Sequence, residues 1–280
     1  EVIEKYWHED QIDLQDDLRQ YFSKDGLATK DFSHDQNKKI LDTLLLFFTQ
    51  LDMSVASGYV DLLYYTKNNE IKSLFIQHAA KEVRHQRAYA LAGETFGFSD
   101  ADWSSFKLYK EMVDKVDLIA QVKGDLNEPI NYAKKLTSIL LGEGIGLFTA
   151  FTSLLNLKRF GKVIGFNDIN SWSLTDEEGH VENNIAVLQC VIKELTHEQL
   201  IELKEYTKTL VDEYVNVEKS IVDVIGDQQG LSKSEIKSYI EYLGRLRLYK
   251  LGYVGYIDVG ENPLPWMEEF LLAERHGSFF

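Results

Sequence analysis

The sequence contains one cysteine, Cys190, in 280 residues. An intrachain disulfide is excluded, and so is a cluster of thiolate ligands. A lone thiol fits a reducing compartment. Proline is nearly as scarce: only Pro129, Pro263 and Pro265 occur, none in the middle of a long apolar-periodic stretch. Proline breaks helix interiors, so its scarcity favours long uninterrupted helices. Positive charge is also in deficit. There are 30 Lys and Arg against 45 Asp and Glu, a net charge of −15. No basic patch stands out. This argues against a nucleic-acid partner, because phosphate contacts need clustered cations. Residues 1–11 are charged and aromatic, with no apolar signal region. No apolar run is expected to approach the ~20 residues that span a bilayer. Together these absences predict a soluble, cytoplasmic protein with neither membrane nor nucleic acid as partner.

What is present is helical periodicity. Residues 1–32 read as an irregular segment. Apolar residues then recur at helical spacing through Ile40, Leu44, Phe47, Phe48, Leu51 and Val55, predicting a helix over about 34–67. Further helices are predicted over 70–96, 101–122, 130–160, 165–194, 196–226 and 232–251. Ser33, Ser99 and Ser232 are expected N-caps, and Thr196-His197-Glu198-Gln199 has the form of a capping box. Residues 252–280 read as an irregular tail with one short helical piece. No strand alternation supports a sheet. Long helices with short links predict an all-α, antiparallel bundle forming one domain over 1–280.

Three Glu-x-x-His matches occur: Glu82 with His85, Glu177 with His180, and Glu194 with His197. Residues three apart share a helix face and can present an oxygen and a nitrogen to one ion. Alone the motif is weak, since roughly one match is expected by chance at ordinary composition. Glu194 ends one predicted helix and His197 begins the next, so that pair shares no face. The other two pairs sit deep inside helices. Asp52 and Glu143 lie in apolar stretches of two more helices. A carboxylate on an apolar helix face is costly unless paired or metal-bound. One carboxylate from each of two helices and a Glu-x-x-His from each of two others is the ligand pattern of a two-metal bundle site. Carboxylates with imidazole and no thiolate suit iron or manganese better than structural zinc. Tyr89 lies one turn beyond His85, about 6 Å along the axis, near the ligand face. Asp176, next to Glu177, is placed to accept a proton from a ligand histidine.

The sequence resembles the small, radical-generating subunit of class I ribonucleotide reductase, a ferritin-like helical bundle. Leu51-Asp52 is similar to that family's first-ligand motif. Glu82-Val83-Arg84-His85-Gln86-Arg87-Ala88-Tyr89 and Asp176-Glu177-Glu178-Gly179-His180 are similar to its two histidine motifs. Glu143 with Phe148 and Phe151 resembles its third-helix ligand. Asn262-Pro263-Leu264-Pro265-Trp266 and Gly277-Ser278-Phe279-Phe280 resemble segments after the bundle. The resemblance implies a dimetal-carboxylate site held by Asp52, Glu82, His85, Glu143, Glu177 and His180, with Glu82 and Glu177 bridging. It implies a radical on Tyr89 and an electron path starting at Asp176 and Trp7. It implies a homodimer, working with a large catalytic subunit. Two irons or two manganeses are the implied metals, with a mixed manganese–iron pair ranked lower. Two departures stand out. Leu147 and Ser173 are read at positions where the family's pocket around the radical tyrosine is usually apolar. The family's C-terminal tail, with a relay tyrosine, does not follow Phe280 in the sequence given. The competing readings are a ferritin-like oxidase or hydroxylase acting directly on an organic substrate, and an iron-storage or purely structural bundle.

Overall fold

A computed structural model describes residues 7–120, 122 and 124–270. Gly277-Ser278-Phe279-Phe280, which carry part of the resemblance, lie outside the described residues. The long helices are α2 (His34–Tyr65), α3 (Asn69–Thr95), α8 (Ile164–Val191) and α9 (His197–Ile225), with α10 (Lys233–Leu251) after them. Their starts follow the expected local chemistry. Ser33, Thr196 and Ser232 each form a capping box, with Gln36, Gln199 and Glu235 respectively, and Asn68 accepts from the Ile71 N–H to start α3. Helix α10 ends at Gly252, whose φ of 74° lies in the left-handed region that glycine adopts without steric cost. There is no strand among the described residues.

Four departures from the expected elements have physical causes. The first thirty-two residues contain α1 (Gln15–Phe22), which buries Asp17 and Tyr21. Asp17 accepts from the Gly165 and Phe166 N–H groups at 3.2 and 2.5 Å, so α1 supplies the N-terminal cap that Val163 cannot give α8. The helix expected over 101–122 is split into α4 (Asp100–Ser104), a 3-10 turn (Ser105–Leu108) and α5 (Lys110–Ala120). The hydroxyls of Ser104 and Ser105 bond back to the carbonyls of Asp100 and Asp102, competing with continued helix.

The third departure bears on function. The helix expected over 130–160 is two, α6 (Pro129–Gly144) and α7 (Phe148–Arg159), broken just after Glu143. Gly142, Gly144 and Gly146 each weaken helix by about 1 kcal/mol relative to alanine. The Gly146 N–H reaches back five residues to the Leu141 carbonyl at 3.3 Å, a widened turn. A Cβ at Gly146 would stand 2.8 Å from the Gly142 carbonyl oxygen, so no larger residue fits this turn without a shift. The start of α7 is capped by buried Glu218, which accepts from the Thr149 N–H at 2.9 Å and pairs with Lys115 at 2.5 Å. Arg247 of α10 secures the other side, donating to the Gly144 carbonyl at 2.9 Å and pairing with Glu178.

The fourth concerns membranes. The expectation that no apolar run approaches membrane-spanning length is corrected. His34–Tyr65 and Pro129–Arg159 are long and apolar enough by length and composition alone. Their apolar windows are 75% and 100% buried inside the bundle, so they are core helices. Helices α2, α3, α6 and α8 pack together, with α9 and α10 covering α6, and their inward faces enclose the site.

Candidate metal centre

The six sequence-predicted ligands are all buried, none more than 1% exposed. Asp52 comes from α2, Glu82 and His85 from α3, Glu143 from the last turn of α6, and Glu177 and His180 from α8. The i,i+3 pairs on α3 and α8 face one another across the bundle axis. His85 Nδ1 lies 3.2 Å from Glu177 and 3.5 Å from Glu82. His180 Nδ1 lies 2.9 Å from Glu82, 3.2 Å from Glu143 and 3.6 Å from Glu177. Glu82 and Glu177 therefore stand between the two histidines, the position that bridging carboxylates require. Donor atoms of Glu82, Glu143, Glu177 and His180 all lie within 4.8 Å of one another. Glu194 and His197, the third match, are exposed and on separate elements.

Electrostatics show what such a site demands. Burial and the neighbouring Glu82 charge push Asp52 well above the usual carboxylate range. Burial pushes Glu143 up to about 8. Burial also works against ionised Glu82, but His85 and His180 outweigh it and hold its carboxyl down at about 2. Both histidines are disfavoured as cations by burial, yet the surrounding carboxylates raise them well above the ordinary imidazole range. Protons on Asp52, Glu143 and the two histidines thus offset the clustered negative charge. Both Glu82 oxygens, both Glu177 oxygens, Asp52 Oδ2 and His85 Nδ1 have no well-formed hydrogen bond among the described residues. Buried polar atoms are rarely left so. Four carboxylates and two imidazoles with orphaned donor atoms fit two divalent cations, whose charge would displace those protons.

Around the donors the structure places the other predicted residues. Tyr89 is fully buried and stacks on Phe48 with ring centroids 4.4 Å apart. Its hydroxyl makes no well-formed hydrogen bond among the described residues. Burial, then the charge of Asp52, raises its pKa well above the phenol range, an effect that the Ser173 hydroxyl opposes. Ser173 is thus beside Tyr89, as expected. Asp176 accepts from Trp7 Nε1 at 3.0 Å, lies 3.2 Å from His85 Nε2, and pairs with Lys81 at 2.8 Å. Trp7 is 2% exposed and stacks on the His85 ring at 5.8 Å with an interplanar angle of 3°. Burial opposes the Asp176 charge, but His85 and Lys81 hold its carboxyl below the usual range.

Three neighbours escaped the sequence reading. Tyr59 donates to both Glu143 oxygens, at 2.7 and 2.8 Å. Asn184 donates to the Tyr59 oxygen at 2.6 Å and to Glu143 at 3.0 Å. His78 packs its ring 4.1 Å from that of His180. The signal was there. Tyr59 lies seven residues after Asp52, Asn184 four after His180 and His78 four before Glu82, all on the ligand faces.

A helical bundle with a buried carboxylate–histidine site for two metals is the class of protein that fold and site define. The family model described as ribonucleotide reductase, small chain, matches residues 1–263, and the chain belongs to that family. Its function is that of a class I ribonucleotide reductase small subunit, which works with a large subunit. A protein of Invertebrate iridescent virus 3 named as a ribonucleoside-diphosphate reductase small subunit is 28% identical over 296 aligned residues, covering 98% of this chain and 76% of the relative. A class I ribonucleotide reductase structure from Bacillus halodurans superposes with a TM-score of 0.82 at 17% identity, over 95% of each chain. The dimanganese(II) NrdF of Streptococcus sanguinis superposes with a TM-score of 0.78 at 18% identity, over 96% of this chain and 92% of that one. At such identities the two structures bear on the fold alone.

Proposed function

We propose that Asp52, Glu82, His85, Glu143, Glu177 and His180 hold two iron or two manganese ions, and that the centre they form oxidises Tyr89 to a radical. Loaded with metal and exposed to an oxygen species, such a centre supplies the one-electron oxidising power. Glu82 and Glu177 would be shared by both ions, because each stands between both histidines. Tyr89 gives up its electron to the centre and its proton toward Asp52, the carboxylate whose charge weighs most on it. Phe48 and Phe166 shield its ring from solvent.

The hole then leaves through His85, Asp176 and Trp7 to the large subunit. The single observation that carries this part is the continuous contact from the His85 ring through the Asp176 carboxylate to the Trp7 indole. His85 and Lys81 keep Asp176 ionised, so that it accepts from both rings. Ribonucleoside diphosphates are the inferred substrates, by likeness to the viral relative's name. Two copies are inferred to pair through the outer face of α2 and α3. Met53, Val60, Tyr64, Ile76 and Val83 are exposed there at helical spacing, and apolar surface of this kind favours a partner. A cytoplasmic location belongs to the same reading.

The test is metal counting with electron spin resonance after anaerobic loading and oxygen exposure. Two metals per chain and a tyrosyl signal lost in Tyr89→Phe are expected. A Tyr89→Phe protein that supports full nucleotide reduction with its large subunit would refute the radical assignment. It would return attention to direct oxidation of an organic substrate.

A further inference from the structure

A second tyrosine touches the centre from the side away from Tyr89. Tyr59 of α2 is fully buried, and its ring is enclosed by Phe75, His78 and His180, with centroids 5.5, 5.1 and 6.2 Å away. Its hydroxyl donates to Glu143 at 2.7 and 2.8 Å. Asn184 donates to the phenol oxygen at 2.6 Å and fixes its orientation. The charge that weighs most on Tyr89 is Asp52, whereas that on Tyr59 is Glu143. One tyrosine therefore serves each end of the carboxylate cluster.

We propose that Tyr59 is a second oxidisable tyrosine of this centre. On oxidation its O–H bond would break, with the proton passing to a Glu143 oxygen and one electron to the oxidised metal pair that the six ligands would hold. The product is a neutral phenoxyl radical whose oxygen keeps the Asn184 hydrogen bond. The oxidant is the same centre that oxidises Tyr89, so the inference rests on the reading above and needs no further reagent.

The chemical reason is proton disposal. A buried phenol stays protonated at neutral pH, and removing only its electron leaves a cation in a medium that solvates charge poorly. Tyrosine oxidation inside a protein is therefore favoured where a base lies within hydrogen-bond reach of the hydroxyl. Tyr59 has such a base in Glu143, whose oxygens accept from its hydroxyl at 2.7 and 2.8 Å. Tyr59 has no contact with Trp7 or Asp176 among its hydrogen bonds and ring contacts, so it does not feed the route to the large subunit. Its oxidation consumes an equivalent left on the centre once Tyr89 is oxidised or absent.

The experiment compares the parent, Tyr89→Phe, and Tyr89→Phe with Tyr59→Phe, each loaded with metal and counted, then mixed with oxygen and freeze-quenched. Tyrosine deuterated at its β carbon separates tyrosyl from tryptophanyl signals. A tyrosyl signal in Tyr89→Phe that is lost in the double variant is the expected result. No tyrosyl signal in a metal-loaded Tyr89→Phe overturns the inference, and so does a signal that survives the double substitution. If the double variant does not load metal, 3-fluorotyrosine placed at position 59 in the Tyr89→Phe background keeps the hydroxyl and decides the matter. A fluorine splitting supports Tyr59, and its absence refutes it. A parent protein with no Tyr89-dependent signal would instead refute the underlying radical assignment.

Discussion

Replacing Asp176 by asparagine removes one charge from a buried network while nearly preserving shape. Lys81 and Asp176 have side chains only 7% and 8% exposed and pair at 2.8 Å, so Asp176→Asn takes from a buried ammonium group the counter-charge beside it. Breaking a buried pair from one side costs about 3–5 kcal/mol. At roughly 2 °C per kcal/mol for a chain of this size, Tm of the metal-free protein should fall by about 6–10 °C. Lys81→Met combined with Asp176→Asn removes both charges and should recover part of that loss. The difference defines the coupling between the two residues. The pH dependence has a definite sign. Asp176 is held below its ordinary value, so its contribution is present above the unfolded pKa and is lost as pH falls through the folded one. The parent–variant gap should stay constant through the neutral range and close only in strong acid. Functionally, His85 and Trp7 both lose their shared charged acceptor. A metal-loaded Asp176→Asn protein should still form the Tyr89 radical, yet support little nucleotide reduction with its large subunit. Full nucleotide reduction by that variant, or a Tm unchanged from the parent, would refute this account of the network.

Glu143, pushed up to about 8, and Asp52, raised well above its ordinary value, hold protons in the metal-free chain and must lose them to ligate. Apparent affinity for manganese(II) should therefore fall as pH is lowered from about 8 toward 6, with protons released on binding. A pH-independent titration would contradict this. Ser173→Ala should lengthen the lifetime of the Tyr89 radical severalfold, read from decay of the tyrosyl signal, because a hydroxyl that acts on the Tyr89 oxygen is removed. Phe48→Ala should cost about 3–5 kcal/mol in denaturant unfolding. It should also shorten that lifetime, because Phe48 is 1% exposed and stacks on Tyr89.

Much of this site was legible because its signals are local. A Glu-x-x-His pair is a one-turn relation, and α3 and α8 run unbroken through theirs, so spacing alone puts oxygen and nitrogen on one face. The exclusion of Glu194 and His197 rested on a cap signal, Thr196 with Gln199, which the structure contains. The helix break after Glu143 was not legible in the same way. Glycines at 142, 144 and 146 weaken a helix without ending it, and long helices tolerate isolated glycine. What ends this one is tertiary. Glu218, sixty-nine residues later, caps α7, and Arg247, one hundred and three residues later, takes the Gly144 carbonyl.

That break explains why Glu143 differs from the other ligands. Glu82 and Glu177 have regular helix on both sides and stand between the two imidazoles. Glu143 sits at a helix end, next to a widened turn, and its oxygens are held by side chains from two other helices, Tyr59 and Asn184. A ligand at a helix terminus can shift its carboxylate for little backbone work, because fewer intrahelical bonds hold it. Its rest position is then set by Tyr59 and Asn184 rather than by α6. The residues that spacing could not single out, a tyrosine seven positions beyond one ligand and an asparagine four beyond another, are therefore the ones that govern the most adjustable carboxylate in the site. This follows from the fold: a bundle can place donors by helix geometry, but where it breaks a helix it must replace lost backbone constraint with side chains from its neighbours.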